Sequence, residues 1–210
     1  MRRNSAKGRN AVAEPTPRAD WVVVALSAAG LAVAAYLTWL KWAGQGAAFC
    51  EAGSGCDIVQ ASRYATFIGV PTASWGAGLY VAIGVLAALG LTTQRWLIVF
   101  ALTAAGVGFS LYLTTLSVFV IGAACMYCLA SVVLVVAILG VLLWRRPAAA
   151  GRKSTVRPIR LATYGSLSAV GAIVLGAFVF AAPASTPSGY QLALARHLKQ
   201  IGGVMYGAYW

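Results

Sequence analysis

Four cysteines carry the reactive chemistry of this 210-residue chain, and they fall into two pairs: Cys50 with Cys56, and Cys125 with Cys128. Two closely spaced thiol pairs suit dithiol–disulfide exchange, in which two electrons pass between pairs through mixed disulfides. The same count is compatible with one or two structural disulfides. It is also compatible with a four-sulfur zinc site, but such sites usually sit in soluble ribbons, and no histidine lies near these cysteines in the sequence.

The spacing favours exchange. Cys125 and Cys128, three residues apart, share one face of a helix. At a helix N-terminus the unpaired N–H groups and the dipole favour thiolate, the reactive form. Cys128 then lies one turn deeper, where it can meet something dissolved in a bilayer. Phe109 and Tyr112 also share a helix face, and can flank a flat ring or simply pack in a bundle. Between Cys50 and Cys56, Gly53-Ser54-Gly55 is flexible. A segment of that length reaches about 20 Å at most, short of a hydrocarbon core of about 30 Å. The loop can therefore deliver a thiol only to its own side of a membrane, and Cys56 is the expected partner-facing thiol. Asp57 is placed to cap a short interfacial helix. Ile58, Val59, Tyr64 and Phe67 would cover the mouth of a bundle. Ser62 either donates a hydrogen bond into a pocket beneath or is an ordinary capping serine.

Composition says what must position these residues. The chain is 60% hydrophobic and 10% charged, with a mean hydropathy of +0.80. An ordinary soluble domain carries about 25% charged residues, and disordered chains are more polar still. An integral membrane protein is the class that remains. The net charge of +12 does not indicate nucleic acid, because the basic residues lie in blocks between apolar runs.

Five such runs are visible, at residues 21–40, 75–91, 96–118, 124–144 and 161–181. Each is near the length of about 20 residues that a spanning helix needs, the second being short. Trp21, Trp39, Trp42, Trp75, Trp96 and Trp144 stand at or near run ends, as in an interfacial aromatic belt. Arg2, Arg3, Lys7, Arg9, Arg18, Arg95, Arg145, Arg146, Arg152, Lys153, Arg157 and Arg160 account for 12 of the 16 basic residues. Alternating spans place all of them on one side, which the positive-inside rule makes cytoplasmic. Loop 43–74, the turn at 119–123 and the chain from 182 are then outside, together with all four cysteines. The first run is longer than the core of about 7–15 residues typical of a signal peptide. The fifth carries no charge, which favours spanning over lying at the interface. Gly84 with Ala88, and Gly106 with Ser110, suit close helix packing.

The pattern Cys50-x5-Cys56-Asp57-x4-Ser62-Arg63, then Gly69-Val70-Pro71, then Cys125-x2-Cys128 in a later span resembles the vitamin K epoxide reductase family in its bacterial form. The resemblance covers residues 21–144. It implies a four-helix bundle around a quinone of the ubiquinone, menaquinone or plastoquinone type. Cys128 would contact the quinone and Cys125 would relay to it. Cys50 and Cys56 would shuttle to a thioredoxin-like partner, and Ser62 matches the family's serine or threonine near the quinone. Asp57, Phe109 and Tyr112 complete the expected quinone surroundings. Animal members carry a tyrosine shortly after the second cysteine of Cys-x2-Cys. Here Leu129, Ala130, Ser131 and Val132 follow, a departure from the residue pattern of the members that reduce vitamin K epoxide.

The expected fold is an all-α integral membrane protein: a four-helix bundle plus a fifth transmembrane helix. A basic cytoplasmic tail (1–20) precedes the redox bundle (21–146), a basic linker (147–160) and the fifth span (161–181). Residues 182–210 read as a Pro/Ser-rich outer linker, a short amphipathic helix carrying a solvent-facing His197, and a final stretch, 204–210, that resembles the first core strand of a thioredoxin fold. Such a domain, cut just before its active site, is expected there. The expected function is a thiol:quinone oxidoreductase of a bacterial inner membrane that makes disulfides. Its partners would be a thioredoxin-like protein or fused domain, quinone and membrane lipid, with no metal and no nucleic acid. The unrelated bacterial disulfide-generating membrane family carries its two cysteine pairs in the reverse order. A non-enzymatic membrane protein with structural disulfides is the alternative from another class.

Overall fold

The computed structural model describes residues 19–44, 48, 50, 54–145, 158–181 and 197. The tail to residue 18, the linker residues 146–157, and the expected outer linker, amphipathic helix and thioredoxin-like strand of 182–210, apart from an exposed His197, lie outside the described residues.

Six helices account for most of the described chain: α1 (Trp21–Ala43), α2 (Gly55–Ala61), α3 (Thr72–Ala88), α4 (Thr93–Leu116), α5 (Met126–Trp144) and α6 (Pro158–Ala181). Between α2 and α3 a 3-10 turn (Arg63–Ala65) leads into a small antiparallel ribbon, β1 (Thr66–Phe67) and β2 (Val70–Pro71). Its two-residue loop has positive φ at both positions, 53° at Ile68 and 76° at Gly69, the geometry that matches the twist of a tight hairpin. Ile68 pays a steric cost there that Gly69 does not.

Among the described residues, four helices are long and apolar enough to cross a membrane: α1, α4 with its π-helical extension to Ile121, α5, and α6 from Leu161. α3, the expected short span, has 17 residues, about 26 Å at about 1.5 Å per residue. It occupies Thr72–Ala88 rather than 75–91. The chain turns earlier because Gly90 takes a φ of 84° and Thr92 caps α4 by accepting the Arg95 amide at 3.3 Å. Exposed Val133, Leu167 and Phe178 point outward, as side chains facing lipid do. The chain is a multi-pass membrane protein.

α1 packs on α3 and α5, and α4 packs on α3, α5 and α6. The ring α1–α3–α4–α5 is the expected four-helix bundle, with α6 against the outer face of α4. Glycine sets the closest approaches. A Cβ at Gly108 would lie 2.7 Å from the Ala169 carbonyl oxygen of α6, and one at Gly106 would lie 2.6 Å from Leu79 of α3. The buried centre includes Val23, Ile83, Val99, Phe100, Ile138 and Leu142. Trp96, expected in the interfacial belt, is instead 2% exposed and stacked on Phe100 at 5.4 Å. The other five expected belt tryptophans are exposed.

At the end of the bundle away from the cysteines, Asp20 ties three helices together. Its carboxylate accepts the Val22 and Val23 amides at 3.2 and 3.4 Å, capping α1. It also pairs with Arg145 at the end of α5 at 2.9 Å, while the Asp20 amide donates to the Ala87 carbonyl of α3 at 3.2 Å.

Candidate active site

The four sulfurs are held by short-range devices at the other end. α4 ends in a π-helical turn (Ser117–Ile121) closed by Gly122 at φ 73°. Ser117 then grips the returning chain: its hydroxyl donates to the Ala123 carbonyl at 2.5 Å, and its own carbonyl accepts the Ala123 amide at 3.0 Å. This fixes Ala124 and Cys125, the N-cap of α5. α2 lies against that strand through Gly55, where a Cβ would stand 2.6 Å from the Ala124 carbonyl oxygen. Only glycine permits that approach, and it brings Cys56 to Cys125.

The Cys56 thiol donates to Cys125 Sγ at 3.4 Å. Cys50 interacts electrostatically with Cys56, and Cys125 with Cys128. The sulfurs therefore form one contiguous series in the order 50, 56, 125, 128. Cys56 and Cys125 are buried, at 6% and 2% exposure, while Cys50 and Cys128 are half-buried. Cys56 was expected at the loop surface; packing of α2 on Ala124 buries it and leaves Cys50 the more accessible thiol of the pair. The Cys50 loop is tied down at Ala48, whose amide donates to Tyr36 Oη at 2.9 Å and whose carbonyl accepts from Tyr127 Oη at 2.7 Å. Burial, the interaction with Cys56 and the nearby Cys125 and Asp57 charges push the Cys50 thiol up to about 12.

Inside the bundle mouth lies a cavity of about 330 Å³. Cys128 is the one cysteine in its wall among the described residues. The β1–β2 ribbon supplies the roof. Phe67 is 6% exposed and meets Phe109, Trp75 and Phe180 edge-on, with ring centroids 5.6, 5.9 and 5.6 Å away. The Trp75 indole donates to the Phe67 carbonyl at 3.3 Å and the Thr72 hydroxyl to the Tyr64 carbonyl at 2.9 Å, which pins the roof to α3. Deeper in the wall, the Tyr80 and Ser131 hydroxyls lie 2.9 Å apart, one helical turn below Cys128. A Cβ at Gly30 would lie within 2.3 Å of the Tyr80 ring, so that glycine makes the space for the phenol.

Of the residues expected around a ring-shaped ligand, Cys128 and Phe109 line the cavity. Ser62, Asp57 and Tyr112 are not among its lining residues. The Ser62 hydroxyl donates to the Val59 carbonyl at 2.7 Å, the capping alternative. Asp57 sits in the first turn of α2, whose N-cap is Ser54, and acts electrostatically on Cys50. Tyr112 stacks on Phe180 at 6.5 Å. Tyr80, Ser131 and the cavity-lining Lys41 were not singled out from the sequence. Ser131 carried a signal, because three residues after Cys128 it shares that helix face. Tyr80 carried none, since it meets Ser131 from another helix.

Comparison with known proteins agrees with this geometry. Residues 21–143 match the Vitamin K epoxide reductase family. The chain is also 31% identical over 200 residues to the thiol-disulfide oxidoreductase LTO1 of Arabidopsis thaliana, a match covering 84% of this chain and 53% of LTO1. The chain thus spans about half the length of that relative. The family match runs over α1 to α5 and takes in all four cysteines and most of the cavity lining; by that match, which spans more than half of the chain, the chain belongs to the vitamin K epoxide reductase family.

Proposed function

We propose that this protein is a membrane thiol:quinone oxidoreductase that generates disulfides outside the cytoplasm of a bacterium, in the inner membrane. The single observation that carries the reading is the order of the sulfurs: a half-exposed Cys50 at one end, and at the other Cys128 in the wall of an apolar, aromatic-roofed cavity. The charge bias of the loops supports an outward-facing cysteine end. The 31% identity to a protein named for thiol–disulfide exchange supports the reaction class.

A thioredoxin-like dithiol, on a separate protein or a fused domain, attacks Cys50 of the Cys50–Cys56 disulfide and leaves oxidised, having handed over two electrons and two protons. The Cys56 thiolate attacks Cys125 of the Cys125–Cys128 disulfide, and Cys128 leaves. Cys50 then attacks Cys56, re-forming the outer disulfide and releasing Cys125 reduced. A quinone bound in the cavity would supply a two-electron, two-proton acceptor for the Cys125/Cys128 dithiol. The cavity fits such a ring, with aromatic edges from Phe67, Phe109 and Trp75, a thiol at Cys128 and a hydroxyl pair at Tyr80 and Ser131. The Tyr80 hydroxyl lies 3.1 Å from the Ser131 carbonyl, to which it can donate, and 2.9 Å from Ser131 Oγ, and this hydroxyl pair is the polar group a ligand carbonyl would meet in the wall. Asp57 and Ser62 shape α2 and the Cys50 environment, and Tyr112 shapes the roof. Thioredoxin-like couples lie at about −120 to −270 mV, and respiratory quinones are more oxidising, so electrons run toward the quinone.

The test is anaerobic quinone reduction by the purified chain, driven by a reduced thioredoxin-like protein. Turnover that disappears on replacing Cys128 supports the reading. Thiols that neither exchange with the partner nor reduce quinone would leave a membrane protein with structural disulfides.

A further inference from the structure

We propose that α6, outside the matched family region, is a wall of the ligand site, and that Ala172 and Leu175 on it determine which ring systems the cavity accepts. The proposal rests on the quinone reading above. As a fifth span beside a complete four-helix bundle, α6 has a simpler role available, that of an anchor in lipid. Three observations point beyond it.

The first is the cavity itself, whose wall includes Ala172 and Leu175 alongside residues of α1, α3, α4 and α5. The second is how closely α6 is seated. Gly165 faces Phe100, Ala169 faces Gly108, and Gly176 faces Phe109 and Tyr112, where a Cβ would lie 3.0 Å from the Phe109 ring. Residues 165, 169, 172 and 176 follow helical spacing, so Ala172 sits on the same small-residue face, between two points of backbone-close contact with α4. The third is the C-terminal end of α6. Phe180 is 7% exposed and packs its ring against Tyr64, Phe67 and Tyr112 of the roof. Its carbonyl accepts from the Arg63 guanidinium, which also lies 5.1 Å from the Tyr64 ring centroid. α6 is thus fixed to α4 along its length and to the roof at its end. Its position across the cavity is set by packing, and a larger side chain at half-buried Ala172 has the cavity as the space in which to fit, while Leu175, 56% exposed, borders the cavity from its outer edge.

The test compares Ala172→Phe and Leu175→Trp with Leu167→Trp, a change on the exposed face of α6 (Leu167 is 73% exposed). The full chain is reduced, and Cys128 and Cys50 modification by N-phenylmaleimide is followed by mass spectrometry. Ala172→Phe and Leu175→Trp should slow Cys128 modification at least fivefold and leave Cys50 unchanged; Leu167→Trp should alter neither. In turnover driven by dithiothreitol, the same two variants should raise KM more for menadione, with two fused rings, than for the single-ring ubiquinone-1. Unchanged Cys128 modification in both cavity variants overturns the proposal. Slowed modification in a protein that reduces neither quinone keeps α6 as a cavity wall and overturns the quinone reading and ring selection with it.

Discussion

Cys56 and Cys125, 69 residues apart in sequence, meet sulfur to sulfur at 3.4 Å, and they do so because Gly55 rests on the Ala124 carbonyl. Gly55→Ala must move α2 off that strand. Overpacking of this kind costs about 1–3 kcal/mol, so exchange between the two pairs should slow by roughly 5- to 150-fold. Acid-quench trapping of the disulfides after a pulse of reduced partner measures it. Quinone reduction by dithiothreitol acting directly on Cys125 and Cys128 should change less than twofold. Equal loss in both assays would mean that Gly55 supports the whole bundle rather than the junction.

Cys50 is the more accessible thiol of its pair, so the proposed thioredoxin-like partner should engage it before Cys56. A thioredoxin-like protein with one cysteine, activated as its thionitrobenzoate mixed disulfide, should react with Cys50 in Cys56→Ala at least tenfold faster than with Cys56 in Cys50→Ala. Release of thionitrobenzoate gives both rates. The reverse ranking would return Cys56 to the partner-facing role.

Tyr80→Phe and Ser131→Ala each remove one hydroxyl from the pair below Cys128 while leaving the packing over Gly30 in place. One hydrogen bond is worth about 0.5–1.5 kcal/mol. Each variant should raise KM for quinone about 2- to 10-fold, with capture of partner at Cys50 unaltered. Steady-state kinetics with ubiquinone-1 decide it.

Cys50 should titrate high in the reduced protein. Its modification rate by iodoacetamide should keep rising with pH beyond 9, toward about 12, where an unperturbed thiol would level off at its ordinary value of 9.0. Because the folded thiol holds its proton more tightly than the unfolded one, the contribution of this group to the reduced fold is fully present below about pH 9 and is lost as pH rises from about 9 through 12. A rate plateau near pH 9 would contradict the environment described for Cys50.

Asp20→Ala removes both the cap of α1 and the partner of Arg145. The cap alone is worth about 0.5–2 kcal/mol. The ion pair adds little, because the Arg145 side chain is 54% exposed. Asp20→Ala should therefore lower Tm in lipid nanodiscs by several degrees, and Arg145→Gln by clearly less. Equal losses would make the ion pair the main contribution.

Much of this was legible in the chain because it depends on local rules. Apolar run length gives the spans to within a few residues, and the two cysteine spacings with the intervening Asp57, Ser62 and Gly69-Val70-Pro71 give the family. The choice among the residues around those cysteines was not legible. Trp96 looks like any interfacial tryptophan until α4 turns it onto Phe100, and Ser62 and Tyr112 look like pocket residues until one caps α2 and the other stacks on Phe180. The exposure of Cys56 could not be read from the flexible residues before it, since its burial comes from Ala124, far along the chain. α6 read only as a fifth span added to the bundle, because its contacts with Gly108, Phe67 and Arg63 all join residues distant in sequence. Hydropathy and spacing are properties of neighbours along the chain and were set by the sequence alone. The sulfur series and the cavity wall depend on which helix faces meet, and close packing between distant segments decided that.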